Sequence, residues 1–283
     1  MNAMQLYLPF SPDGKTGVTV NISGERPLRI AGRAAKIINT ELQQATGDGK
    51  LIFSDTLNSG DKIYSDPNSE TEIFDLPEKS VIYQLPPDRY VRRNSRSTVK
   101  QIFSCAVRQS WKMGIKSALL HGAMLTCLEH PEKCILVFGI SGMGKSTTAG
   151  RWKAAGGDFS ADDMVLLYQN ENGELFARPL PTWSRYPESV NFNHCCRVKA
   201  VLRLQRGEFD EVCPADPLSW SVDCAKALMF HHCLPVLRTD ISAKIALECM
   251  KSGEILRQKF GTSDLNTNLN SNISPVLENI FKQ

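Results

Sequence analysis

The sequence predicts an α/β protein in two parts, and three observations carry that expectation. Gly139-Ile140-Ser141-Gly142-Met143-Gly144-Lys145-Ser146 fits the spacing G-x-x-x-x-G-K-[ST], with an apolar run before it and a helical run after it. The first 97 residues instead alternate short β-prone runs with clusters of Gly, Asp, Asn and Ser. Beyond residue 195, helix start and stop signals recur. The expected division is a β-rich N-terminal module over 1–97 and an α/β domain carrying the glycine-rich loop over 98–283.

In the first part, runs at 18–22, 51–53 and 81–85 read as strands and 34–44 as a short helix. The stretch 58–68 reads as a mobile loop, and Pro86-Pro87-Asp88 ends the module. Four arginines between 89 and 96 read as a solvated connector or a dock for phosphate or an acidic partner. Val99, Ile102, Phe103, Ala106, Val107, Ser110 and Trp111 then follow helical spacing, with Gly114 at the stop. Residues 118–125 form an apolar strand candidate carrying His121-Gly122, and 134–138 form a second. The turn between them is too short for a crossover, so the pair should be antiparallel.

Residues 147–155 read as a helix stopped by Gly156-Gly157, and 159–168 as one strand containing Asp162-Asp163. Runs at 198–204 and 209–213 flank Gln205-Arg206-Gly207-Glu208 and predict a hairpin. Asp216-Pro217 opens a helix to about 230, Asp240 opens another to about 260, and 261–272 is polar. Ser274-Pro275 should cap a short final helix.

Composition narrows the function classes. Of 283 residues, 42% are hydrophobic and 22% charged, a balance that excludes whole-chain disorder. Lys and Arg number 33 against 30 Asp and Glu, too slight a bias to imply nucleic acid or an acidic membrane surface. No apolar run approaches the roughly 20 residues of a membrane span. MNAMQLYLPF lacks the basic flank and long apolar stretch of a secretory signal, so a cytoplasmic protein is expected. The nine cysteines form no C-x-x-C pair and read as reduced, mostly buried thiols. Asn193-His194-Cys195-Cys196 lacks a second ligand pair at zinc spacing, and His194, His231 and His232 read as structural.

The chemistry sits in the middle of the chain. Glycines permit a tight loop whose N–H groups face phosphates, and the next helix presents its positive end to them. Gly139, Ser141, Gly142, Met143, Gly144, Lys145, Ser146 and Thr147 are therefore the candidate nucleotide-binding residues. Lys145 should reach the β- and γ-phosphates and Ser146 should ligate Mg²⁺. Position 143 is Met, so Ser141 is not the nucleophile of a G-x-S-x-G elbow. Asp162 and Asp163 invite a division of labour, one on the metal and one accepting a proton from an attacking hydroxyl.

The series His121-Gly122, glycine-rich loop, Ser160-Ala161-Asp162-Asp163 resembles the catalytic core of HPr kinase/phosphorylase. Ala177-Arg178-Pro179-Leu180-Pro181-Thr182-Trp183-Ser184 is similar to the P-x-P-T-W-S segment of HPr-kinase-related proteins in peptide-maturation cassettes. Among these are the SynChlorMet cassette protein ScmC type and the kinases of some lasso-peptide clusters. The resemblance spans about residues 115–260 and implies the phosphoenolpyruvate-carboxykinase-like P-loop fold. It implies Asp162 as general base, Asp163 assisting it or the metal, and His121 near Asp162. HPr kinase carries a later metal-ligating Glu in a glycine-containing segment that this chain lacks, leaving Glu188 or Glu174 as candidates. Arg178, Trp183 and Ser184 would shape an acceptor or nucleotide pocket.

The expected function is an ATP- and Mg²⁺-dependent kinase for a Ser/Thr hydroxyl of a small protein or ribosomally made precursor peptide. A non-catalytic nucleotide-binding, peptide-recruiting module and a nucleotide hydrolase are the alternatives. HPr kinase is an oligomer, so the resemblance also admits a homo-oligomer.

Overall fold

The computed structural model describes residues 3–9, 17–23, 52–54, 62–65, 72–75 and 80–84 near the N-terminus. It also describes 103, 104, 107, 110 and 111, then 114–180, 185, 194–229 and 239–283 except 269. The chain divides into two compact units, Met1–Ser117 with Cys233–Ser242, and Ala118–His232 with Ala243–Gln283.

The first unit holds β1 (Ala3–Pro9), β2 (Gly17–Ser23), β3 (Ile52–Ser54), β4 (Lys62–Ser65), β5 (Glu72–Asp75) and β6 (Ser80–Gln84). They form one sheet in the order β3-β1-β2-β6-β5-β4, with only β2 and β6 parallel among neighbours. The stretch 58–68, expected as a loop, contains β4, which pairs Ile63 with Phe74 and Tyr64 with Ile73. The expected helix at 34–44 and the arginine connector at 89–96 lie outside the described residues. Residues 103, 104, 107, 110 and 111 are helical, as their spacing implies.

The second unit is built on β7 (Ser117–Thr126), β8 (Lys133–Phe138), β9 (Asp158–Ala161), β10 (Met164–Gln169), β11 (Leu175–Pro179), β12 (Cys196–Arg206), β13 (Glu211–Pro214) and β14 (Ser263–Thr267). Helices α1 (Lys145–Ala154), α2 (Pro217–Met229), α3 (Thr239–Phe260) and α4 (Ser274–Lys282) accompany them. The order is β11-β10-β7-β8-β12-β14-β13, with β9 beside β7. β11 also pairs with β12 through Phe176–Arg197 and Ala177–Cys196, so five strands close on themselves at that end. This is a mixed α/β architecture.

β7 and β8 are antiparallel, pairing Gly122 with Phe138 through Thr126 with Cys134. The expected single strand over 159–168 is broken instead. β9 pairs with 124–126 of β7, the chain bends at Asp162-Asp163, and β10 resumes beside β7. The expected hairpin is also revised: β12 and β13 do not pair, because β14 lies between them, parallel to β12 and antiparallel to β13. β14 comes from the segment read as merely polar, and its one apolar residue, Leu265, is fully buried.

Two apolar layers hold the sheet. On one face Trp152 of α1 stacks on Phe281 of α4, with ring centroids 6.0 Å apart, amid Leu125, Ile135, Val137 and Leu204. The Trp152 Nε1–H donates to the Thr126 carbonyl at 2.8 Å, so its polar atom is not stranded in the core. Elsewhere Trp220 of α2 meets Phe138 edge-on at 5.1 Å. α2 starts as expected, with the Asp216 carboxylate accepting the Ser219 N–H at 2.8 Å. α4 differs: Ile273 is its N-cap, and the Ser274 hydroxyl bonds Glu278 rather than capping the helix. Among the described residues there is no disulfide, and no helix is long and apolar enough to cross a membrane.

Candidate functional site

The glycine-rich loop leaves the carboxyl end of β8, beside the carboxyl end of the parallel strand β12. Gly142 and Gly144 take φ of 83° and 108°, left-handed values that a side chain would strain. α1 starts at Lys145 with no side-chain cap and no acidic residue in its first turn. Its leading N–H groups have no partners within the helix and no neutralising anion on it, which makes the helix end electropositive.

Lys145 is buried, and its ammonium donates to the carbonyls of Gly139 at 2.9 Å and Ile140 at 3.3 Å. Burial pushes its pKa down, and the nearby Asp163 carboxylate partly restores it. The Ser146 hydroxyl donates to the Asp162 carbonyl at 3.3 Å, joining the loop to the acid pair.

The His121-Gly122 pair has a structural reason. A Cβ on Gly122 would stand 2.7 Å from the Val137 carbonyl, so only glycine fits there. The Gly122 N–H donates to the Asp163 carbonyl at 3.1 Å, which fixes the bend between β9 and β10. His121 Nδ1 lies 3.0 Å from that same carbonyl and 3.5 Å from Asp163 Oδ1. These contacts bring His121 against Asp163, the residue next to Asp162.

Asp162 is only 4% exposed. Its Oδ2 accepts the backbone N–H of Arg185 at 3.1 Å, while Oδ1 is buried and has no hydrogen-bond partner among the described residues. Two carboxylates, adjacent in sequence, thus hold different surroundings: Asp163 faces His121 and Lys145, and Asp162 accepts the Arg185 N–H. Ser141 and Gly142 are exposed, while Met143, Gly144 and Thr147 are half-buried around the loop.

Other candidates separate from this cluster. Glu174 sits at the far turn of the β10–β11 hairpin, paired with Asn170 and Arg197, roughly 20 Å of strand away from Asp163. Arg178 lies across from Leu166 and interacts with Tyr168 rather than with the acid pair. Trp183, Ser184 and Glu188 lie outside the described residues.

Two contacts were not anticipated. Ser160 Oγ lies 2.7 Å from His194 Nδ1, and the Arg185 N–H reaches Asp162. A backbone donor leaves no signature in a sequence. Ser160 stood within the segment that carries the resemblance, but nothing marked its partner 34 residues on. Among the described residues, no three His, Cys, Asp or Glu side chains are grouped to hold a metal.

Comparison with known proteins gives one family match. The model of the SynChlorMet cassette protein ScmC family matches residues 96–240, a span that contains the glycine-rich loop, the His-Gly pair and the acid pair. No curated protein matches the chain. Among solved structures, the Hpr(Ser) kinase/phosphatase from Coxiella burnetii is similar at 18% identity, over 35% of this chain and 71% of that one, with a TM-score of 0.25. With over half its length matched, the chain belongs to the SynChlorMet cassette protein ScmC family.

Proposed function

We propose that the chain is an ATP- and Mg²⁺-dependent kinase that phosphorylates a Ser or Thr hydroxyl on a small protein or ribosomally made precursor peptide. One observation carries this reading: the uncapped helix end and Lys145 of the glycine-rich loop adjoin a buried acid pair in which Asp162 Oδ1 has no hydrogen-bond partner among the described residues. Membership of a peptide-cassette family supports a peptide as acceptor.

In this reading the α1 N–H groups and Lys145 bind and orient the phosphate tail. Asp162, held by the Arg185 N–H through Oδ2, takes the acceptor's proton on Oδ1. His121 keeps Asp163 oriented toward Lys145. The donor set suits a hard cation: the Ser146 hydroxyl and Asp163 carboxylate offer oxygen only, and Ser146 makes a long, readily exchanged bond. Mg²⁺ held there would supply the positive charge that the phosphoryl oxygens need during transfer. Glu188 is a further candidate ligand.

Incubation with labelled ATP, Mg²⁺ and peptides encoded beside this gene tests the proposal. Label on a peptide hydroxyl is expected. Phosphate release without acceptor would make the chain a hydrolase, and bound nucleotide without turnover would make it a binding module. Either result overturns the kinase.

A further inference from the structure

The geometry points to His194 as a positioning residue for Asp162, acting through Ser160; this rests on the reading of Asp162 as proton acceptor. Ser160 lies on β9 and Asp162 stands two residues on, at the bend that ends the strand, while Phe159 turns to the core beneath α1 and α4. Ser160 is fully buried and Asp162 nearly so. Each is met by one bond: Ser160 Oγ by His194 Nδ1 at 2.7 Å, and Asp162 Oδ2 by the Arg185 N–H at 3.1 Å.

β9 needs such support. Among the described residues its ladder runs to β7 alone, and the chain bends directly after it at the acid pair. A four-residue strand held on one side can pivot about that side, and a pivot would move Asp162 by more than proton transfer tolerates. His194 stands on firmer ground. Two residues later, Cys196 enters β12 and pairs with Ala177, where the five strands close. The Ser160–His194 bond therefore ties β9 to the part of the sheet where the five strands close. It also satisfies a hydroxyl that has no access to water. Among the described residues the hydrogen bond of His194 goes to Ser160, so its contribution is to the orientation of Asp162 and of the Arg185 N–H that holds it.

The test compares His194→Ala, Ser160→Ala, the double variant and His194→Asn, whose side-chain amide can reach the position of Nδ1. Amide exchange at Arg185, read by NMR in the full chain, is expected to quicken about tenfold in both alanine variants. Amides of α4 should not change. With an acceptor, kcat should fall about tenfold while the nucleotide KM stays within about twofold. The double variant should be no worse than either single one, and His194→Asn should recover most of the loss. Unchanged Arg185 exchange would overturn the proposal. So would single losses that multiply in the double variant, or an equal loss of nucleotide affinity. Ser160→Ala removes only a hydroxyl and leaves half-buried His194 free to meet water, so it decides the matter if His194→Ala does not fold. Normal transfer in Asp162→Asn would overturn the base assignment instead, and the exchange measurement would still judge His194.

Discussion

Two places in the C-terminal unit bury a cation among carboxylates, and they are built in opposite ways. Where β12, β14 and α2 meet, Arg203 is 5% exposed and lays Nε and Nη2 on Asp264 at 2.7 and 2.8 Å. Its Nη1 donates to Ser219 at 3.0 Å and Asp223 at 3.2 Å. At the glycine-rich loop, Lys145 is buried to a similar degree but donates to main-chain carbonyls, while a carboxylate oxygen of Asp162 has no hydrogen-bond partner among the described residues. The first cluster is saturated and can only hold the fold. The second retains unmet bonding capacity at an energetic cost, which is the condition of a site that must receive something else.

Four predictions would break or sharpen that contrast. The largest effect is expected from Asp162→Asn, which should cut phosphoryl transfer by roughly 10²–10⁴ while leaving nucleotide bound. Single-turnover transfer and equilibrium binding, measured side by side, check it; near-normal transfer would move the base elsewhere.

Next, the two cations should respond differently to truncation. Arg203→Ala strands Asp264 and should cost about 3–5 kcal/mol in urea unfolding. Lys145→Met should leave the unfolding midpoint unchanged or raised. Burial lowers the Lys145 pKa, so the folded state binds that proton less tightly than the unfolded state, and at neutral pH the charge opposes folding. Nucleotide affinity should nevertheless fall in Lys145→Met. Equal destabilisation of the two variants would erase the distinction.

A smaller loss is expected from Gly122→Ala, whose new Cβ meets the Val137 carbonyl at 2.7 Å. About 1–3 kcal/mol of stability should go, with transfer reduced as well because relief of the clash shifts the residue-122 N–H relative to the Asp163 carbonyl that it holds. Chemical denaturation and the transfer assay together check this.

The smallest effect concerns Asp216, an exposed carboxylate whose pKa the Ser219 N–H holds below its usual value of 3.8. Its contribution to stability is present above that usual value and fades as pH falls through the lowered one. The midpoint difference between wild type and Asp216→Asn should therefore shrink between pH 6 and pH 3. A difference independent of pH would remove the carboxylate's role.

Local signals carried most of what the sequence made legible. The loop, its flanking strand and helix, and the antiparallel β7–β8 pair follow from spacing over about a dozen residues. The α2 start is written in Asp216-Pro217 alone. Long-range pairing was not legible: β14 reads Ser-Asp-Leu-Asn-Thr, with one apolar residue and no alternation that would betray a strand. β11 was noted for its resemblance, not for its hydrophobicity. At the site, the residue types were legible and their pairings were not. His121 chose Asp163 because the bend turns the Asp163 carbonyl toward β7, and no spacing rule encodes a bend.

The insertion of β14 between β12 and β13 has a consequence for how the protein is made. On the ribosome, everything through α3 emerges while two raw strand edges wait for a five-residue segment near the end of the chain. Until it threads between them, those edges invite pairing with any other nascent polypeptide. The flank of the glycine-rich loop is thus completed only after α3 has emerged.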